Sequence, residues 1–143
     1  MNYDQLKERI KRHEGFRDKV YKDRLGFATI GYGHLIKPNE MFEPNKRYSN
    51  LELDRIFEYD FNIACKDADD VLKNCGDQPT AVYEVIIEMC FQLGKPRVLK
   101  FKRMLDCIKN NDYKGAQFEA LDSLWAEQTP VRAEYLANTL ANA

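Results

Sequence analysis

The sequence predicts an α+β fold: a small N-terminal lobe with a three-stranded antiparallel sheet, a long connecting helix, and a larger helical C-terminal lobe. Three observations predict it. Between Phe16 and about Ile36, β-branched and aromatic residues fall between glycine-marked turns. Ser49-Asn50-Leu51-Glu52 has the form of a capping box and opens a long run of helical apolar spacing. After Pro79 every apolar pattern is helical.

Taken in order, residues 4–13 carry Leu6 and Ile10 at helical spacing, and Gly15 is a natural stop just beyond Glu14. Val20-Tyr21 and Phe27 to Ile30 supply strand residues around the turn Asp23-Arg24-Leu25-Gly26 and the Gly31/Gly33 pair. Lys37 to Tyr48, with two prolines and two asparagines, reads as an irregular loop. Leu53, Ile56, Phe57, Ala64, Ala68, Val71 and Leu72 then fit one helix from about 50 to 74, bridging the lobes. Val82 to Leu93 marks a buried helix ended by Gly94, and Val98 to Ile108 a shorter helix or pair. Asp112 to Leu124 gives another. Thr129-Pro130 opens the last, with the hydroxyl as N-cap and proline in the first turn. The chain reads as one domain over 1–143. The small lobe covers about 14–60, and the helical lobe about 61–143 together with the N-terminal helix 1–13.

Composition supports an ordinary globular domain, at 44% hydrophobic and 31% charged residues. A net charge of −1 excludes a strong overall draw to polyanions. The densest positive run, Lys95, Arg97, Lys100, Lys102 and Arg103, reads as a solvated helix face. No apolar run approaches membrane-spanning length, and the N-terminus lacks the apolar region of a secretory signal. The expected location is therefore the cytoplasm. Cys65, Cys75, Cys90 and Cys107 show no zinc-ligand spacing, and Cys65 and Cys90 read as buried free thiols. No metal or cofactor is expected.

The residues with the most chemistry lie in the first third: Glu14-Gly15, Tyr21-Lys22-Asp23 and Ala28-Thr29-Ile30-Gly31-Tyr32-Gly33-His34. Two carboxylates in different surroundings suit glycoside hydrolysis, in which one acid donates a proton and the other stays ionised. Glu14 sits near a helix C-terminus, where the dipole disfavours its charge and favours the protonated form. Taken alone, Asp23 is equally a turn aspartate bonding its own backbone, and Thr29 an ordinary strand residue. His34 has no partner at metal-ligand spacing, which leaves an imidazole paired with a carboxylate.

These blocks resemble the phage-type lysozymes, the endolysin muramidases that include the T-even phage enzymes. The similarity resumes at Phe91-Gln92-Leu93-Gly94 and at Trp125 to Ala133, so it spans most of the chain. The resemblance implies that Glu14, Asp23 and Thr29 are the catalytic positions, with Thr29 helping to place the attacking water. It implies a cleft lined by Leu35 and Phe91, a structural pair of His34 with Asp60, and an Arg132 that contacts the catalytic glutamate. Trp125 and Gln92 are expected as structural neighbours. The chain departs from the T-even pattern at His13, which stands where those enzymes carry an aspartate. It departs again at Met104 and Glu119, which replace two polar positions that bind sugar or peptide. The segment between His34 and Phe57 is shorter, and the C-terminus stops earlier.

The resemblance implies an endolysin that cleaves the β-1,4 bond between N-acetylmuramic acid and N-acetylglucosamine in bacterial peptidoglycan and lyses the host. It would act as a monomer on the wall once a holin-like partner has permeabilised the membrane, with no nucleic-acid partner. Two alternatives remain at this stage: a lytic transglycosylase on a related fold, and a non-catalytic wall-binding virion module.

Overall fold

A computed structural model describes residues 1–143. In chain order the elements are α1 (Tyr3–Glu14), β1 (Arg17–Lys22), β2 (Ala28–Gly31), β3 (His34–Leu35), α2 (Asn50–Leu72), α3 (Thr80–Leu93), α4 (Lys95–Leu99), α5 (Lys102–Lys109), α6 (Tyr113–Leu121), α7 (Leu124–Gln128) and α8 (Pro130–Ala141). This is the α+β arrangement that the sequence predicts, a three-stranded sheet followed by a run of helices. It divides into two compact units, residues 2–63 and residues 64–143 with Met1.

In the first unit the strands run antiparallel in the order β1-β2-β3. Tyr21 lies opposite Thr29, and Thr29 opposite Leu35, whereas Ile30 lies opposite His34. Side chains on a strand alternate, and directly opposed residues point the same way. Tyr21, Thr29 and Leu35 therefore form a row across one face, and Ile30 and His34 are buried on the other. The core of this unit is Leu6, Ile10, Ile30, Leu53, Phe57 and Phe61. The sequence reading grouped α1 with the helical lobe, but α1 clusters with the sheet. Its Leu6 and Ile10 are buried, and Lys7 Nζ pairs with Glu58 at 2.8 Å. Lys11 Nζ lies over the rings of Tyr32 and Phe57.

In the second unit α3 is the most buried helix, with Val82, Val85, Ile86 and Met89 all inaccessible. Ala133, Leu136, Ala137 and Leu140 of α8, Met104 and Ile108 of α5, and Ala116 and Ala120 of α6 complete its core. All four cysteines are free thiols. Cys90 is buried, and burial pushes its thiol up to about 12, so it stays unreactive at neutral pH. Cys65, expected to be buried, is only half-buried.

Three local expectations are corrected. The helix expected over 112–124 breaks at Asp122-Ser123, because the Ser123 hydroxyl accepts from Ala126 N–H at 3.1 Å and starts α7. Thr129 does not cap α8 with its side chain: its hydroxyl donates backwards to the Trp125 carbonyl at 3.0 Å. At Ser49 half of the capping box forms. The hydroxyl accepts from Glu52 N–H, but the Glu52 carboxylate takes the Ser49 hydroxyl proton instead of a backbone N–H.

Candidate active site

Asp23 sits at the mouth of the β1–β2 hairpin, where its Oδ1 accepts the N–H of Leu25 at 2.9 Å and of Phe27 at 2.8 Å. The turn aspartate read from sequence is thus real, and the turn also fixes the carboxylate. Oδ1 is held by the chain, and Oδ2 makes no hydrogen bond within the protein. Phe27 returns its carbonyl to Asp23 N–H at 2.9 Å, closing the turn.

The same carbonyl accepts the Thr29 hydroxyl proton at 3.0 Å. Both groups are therefore referenced to the backbone of one residue. Because its proton is committed, the buried Thr29 oxygen presents lone pairs to anything beside it, so it acts as an acceptor toward water. A water between the two would give one hydrogen to Thr29 and the other to the Asp23 carboxylate.

Glu14 is the last residue of α1, and Gly15, at φ 74°, turns the chain away behind it. Its carboxylate lies against Gly33 in the β2–β3 turn. A Cβ built on Gly33 would collide with Glu14 Oε1 and lie 3.0 Å from its carboxyl carbon. Gly33 also has φ 72°, so its glycine identity is required twice.

On the other face of the sheet, His34 Nδ1 meets Asp60 Oδ2 at 2.7 Å, as the resemblance implied. Sequence reading missed the second partner: Nε2 lies 3.0 Å from both oxygens of Glu40. Glu40 is itself anchored, accepting Lys37 N–H at 2.7 Å. Burial opposes a charged imidazole, but the bonds and charges of Asp60 and Glu40 outweigh it and raise the His34 pKa. The pair holds β3 and the following loop to α2.

In the helical unit Arg132 Nε donates to Glu88 Oε2 at 2.8 Å, and both side chains are buried. This partner was not foreseen. Its sequence signal is one acid inside the otherwise apolar run Val85 to Cys90. Gln92 Oε1 accepts the Trp125 indole N–H at 2.9 Å, the structural role expected for both. Phe91 is half-buried, and Leu35 is 53% exposed, unusual for a leucine on a short strand. A groove of about 430 Å³ lies between α4, α5 and α7. Arg97, Lys100, Lys102 and Arg103 stand along it, exposed to solvent as the sequence suggests, so the basic run also borders a concavity. Met104 and Glu119, the departing positions, line it as well.

The structure thus gathers Asp23, Thr29 and Leu35 on one small sheet and sets Glu14 against the turn that ends β2. Two acids beside a small sheet, followed in the chain by a helical unit, are the arrangement that the resemblance to lysozymes implies.

The profile of the phage lysozyme family matches residues 11–136, and the chain belongs to that family. Relatives extend over nearly the whole sequence. The chain is 30% identical to "Probable T4-type lysozyme 2" of Dictyostelium discoideum, over 90% of this chain and 88% of the relative. It is 28% identical to "Probable T4-type lysozyme 1" of the same organism, over 94% and 92%. It is also 33% identical to the pre-baseplate central spike protein Gp5 of Enterobacteria phage T4, over 90% of this chain but 26% of that protein. The function is lysozyme-like degradation of peptidoglycan, and the enzyme is a hydrolase.

Proposed function

We propose that the protein is an endolysin-type muramidase, a glycoside hydrolase that cleaves the β-1,4 bond between N-acetylmuramic acid and N-acetylglucosamine. Glu14 protonates the leaving oxygen. Asp23 takes a proton from water held against Thr29, and the water attacks the anomeric carbon. The single observation that carries this reading is the shared anchor at Phe27, whose N–H binds Asp23 and whose carbonyl binds Thr29. A lytic transglycosylase needs the acid but no such water cradle, and a non-catalytic wall-binding module needs neither. Leu35, exposed beside Thr29 on the sheet, offers apolar surface to a sugar ring.

In this reading the enzyme acts as a monomer and ends infection by lysing the host. It waits in the host cytoplasm and reaches the wall when a holin-like protein opens the membrane. No helix is long and apolar enough to cross a membrane. The similarity to a pre-baseplate central spike protein, of which the chain covers 26%, points to a virion-borne enzyme as the second setting.

Glu14→Gln keeps the shape of the side chain and removes its proton-donating ability. The variant is expected to fold as the parent does, judged by circular dichroism, and to leave permeabilised bacteria turbid. Clearing at a near-parental rate would refute the assignment of the acid.

A further inference from the structure

Beyond these positions, one more side chain stands in the site with its polar group uncommitted. Tyr21 of β1 is opposed to Thr29 of β2, which is opposed to Leu35 of β3, so the three cross one face of the sheet in a single row. Two of the three already have proposed parts, Thr29 with water and Leu35 with sugar. The Arg17 guanidinium lies 4.9 Å from the centre of the Tyr21 ring and clamps it by cation–π attraction. The phenol O–H has no acceptor in the protein, although the side chain is half-buried.

Electrostatics locate the hydroxyl further. The charges of both Glu14 and Asp23 act on it, so it stands in the field of the two acids that would flank a scissile bond. Burial first, then those two carboxylates, raise its pKa against the opposing effect of Arg17. The group is therefore a neutral donor throughout the range in which lysozymes work. A phenol also reaches further from the sheet than a threonine hydroxyl. Where Thr29 meets a water lodged at the surface, Tyr21 meets the larger ligand standing above it.

We propose that Tyr21 is a substrate-binding residue, its phenol O–H donating a hydrogen bond to an oxygen of the sugar held between Glu14 and Asp23. The inference rests on the muramidase reading and extends it by one contact. Saccharides present hydroxyl and acetamido oxygens on every face, so an uncommitted neutral donor is the right complement. A cation at that place would pair with the acids, and an anion would repel them. Arg17 fixes the ring in advance, so little freedom is lost when sugar binds.

The test compares Tyr21→Phe with the parent and with Glu14→Gln on a soluble tetrasaccharide of alternating N-acetylglucosamine and N-acetylmuramic acid. Phenylalanine keeps the ring under Arg17 and removes only the donor. Expected are an unchanged Tm and a fall in kcat/KM of about tenfold, the usual scale for one neutral hydrogen bond. The Kd for the same tetrasaccharide should also weaken when Tyr21→Phe is added to Glu14→Gln. Parental kcat/KM and unweakened Kd would overturn the proposal. With Glu14→Gln inactive, that outcome removes Tyr21 alone, whereas an active Glu14→Gln removes the muramidase reading itself. A second arm needs no change at Tyr21, and so stands even if phenylalanine lowers stability. In Glu14→Gln labelled with ¹³C at tyrosine Cζ, the Tyr21 resonance should move as the tetrasaccharide binds, and a resonance unmoved at saturation would overturn the proposal.

Discussion

The Glu14 carboxylate rests directly on Gly33, so closely that a Cβ at Gly33 would overlap Glu14 Oε1. The contact ties the end of α1 to the turn between β2 and β3, and it sets the position of the acid relative to the strand bearing Thr29. It also separates two consequences of replacing a glycine that are usually mixed. Gly76 has almost the same φ, 73° against 72°, but nothing lies within 4 Å of the Cβ it lacks.

Gly76→Ala should therefore cost about 1–2 kcal/mol of stability through backbone strain and leave activity per folded molecule unchanged. Gly33→Ala should cost a similar amount of strain and, in addition, displace the acid. An activity loss of about a hundredfold is expected, the scale of a 1 Å misplacement. Urea unfolding together with initial clearing rates checks both variants, and equal specific activities would deny Gly33 any part in placing Glu14.

Two substitutions of Asp23 should behave differently. In Asp23→Asn the side-chain amide keeps an oxygen for the Leu25 and Phe27 N–H groups, so this variant should unfold with nearly parental stability but lose most activity. Asp23→Ala leaves the two N–H groups to solvent and should lose about 1–2 kcal/mol as well. Equal stability losses for the two substitutions would show that the hairpin does not depend on this carboxyl oxygen.

His34 links stability to pH. Its folded pKa is raised, so its stabilising contribution is complete below the unfolded value near 6.5 and is lost as pH rises through the folded value. For Glu40, burial pulls upward, but the Lys37 amide and His34 win and lower its pKa. The Glu40 contribution is present above its unfolded pKa and disappears as pH falls through the folded one. The clasp should therefore support the fold most between the two transitions. Asp60→Asn should remove on the order of 2 kcal/mol there and flatten the alkaline decline. An undiminished alkaline decline in ΔG of unfolding for Asp60→Asn would show that this pair is not its source.

Much of this was legible in the residues because local chemistry agreed with the fold. The aspartate turn, the paired positive-φ glycines and the helical spacing after Ser49 each point to one local structure. What escaped is non-local or pits two local signals against each other. Glu88 finds Arg132 across 44 positions, and nothing near either residue announces the other. Glu40 sits in an irregular stretch where no periodicity marks which side chain turns inward. Thr129 could cap forwards or bond backwards, and the proximity of the Trp125 carbonyl at the end of α7 decided the matter. The break at Ser123 was hidden because apolar spacing continues through it to Trp125.

The buried ion pair gives a further expectation in the helical unit. Replacing Glu88 with glutamine leaves the Arg132 charge without its carboxylate in a site where Glu88 is fully inaccessible. Breaking one partner of such a pair costs about 3–5 kcal/mol. Glu88→Gln should therefore show a clearly lowered midpoint in thermal or denaturant unfolding, and an unchanged midpoint would mean the pair is energetically idle.

The most direct measurement is the mass of the fragments released from purified peptidoglycan. A water cradled by Asp23 and Thr29 must end up in the product, so disaccharide peptides with an ordinary reducing end are expected from the parent, and none from Glu14→Gln. Fragments carrying an anhydro sugar, lighter by one water, would mean that no water is added. That result would contradict the hydrolytic role assigned to Asp23 and Thr29.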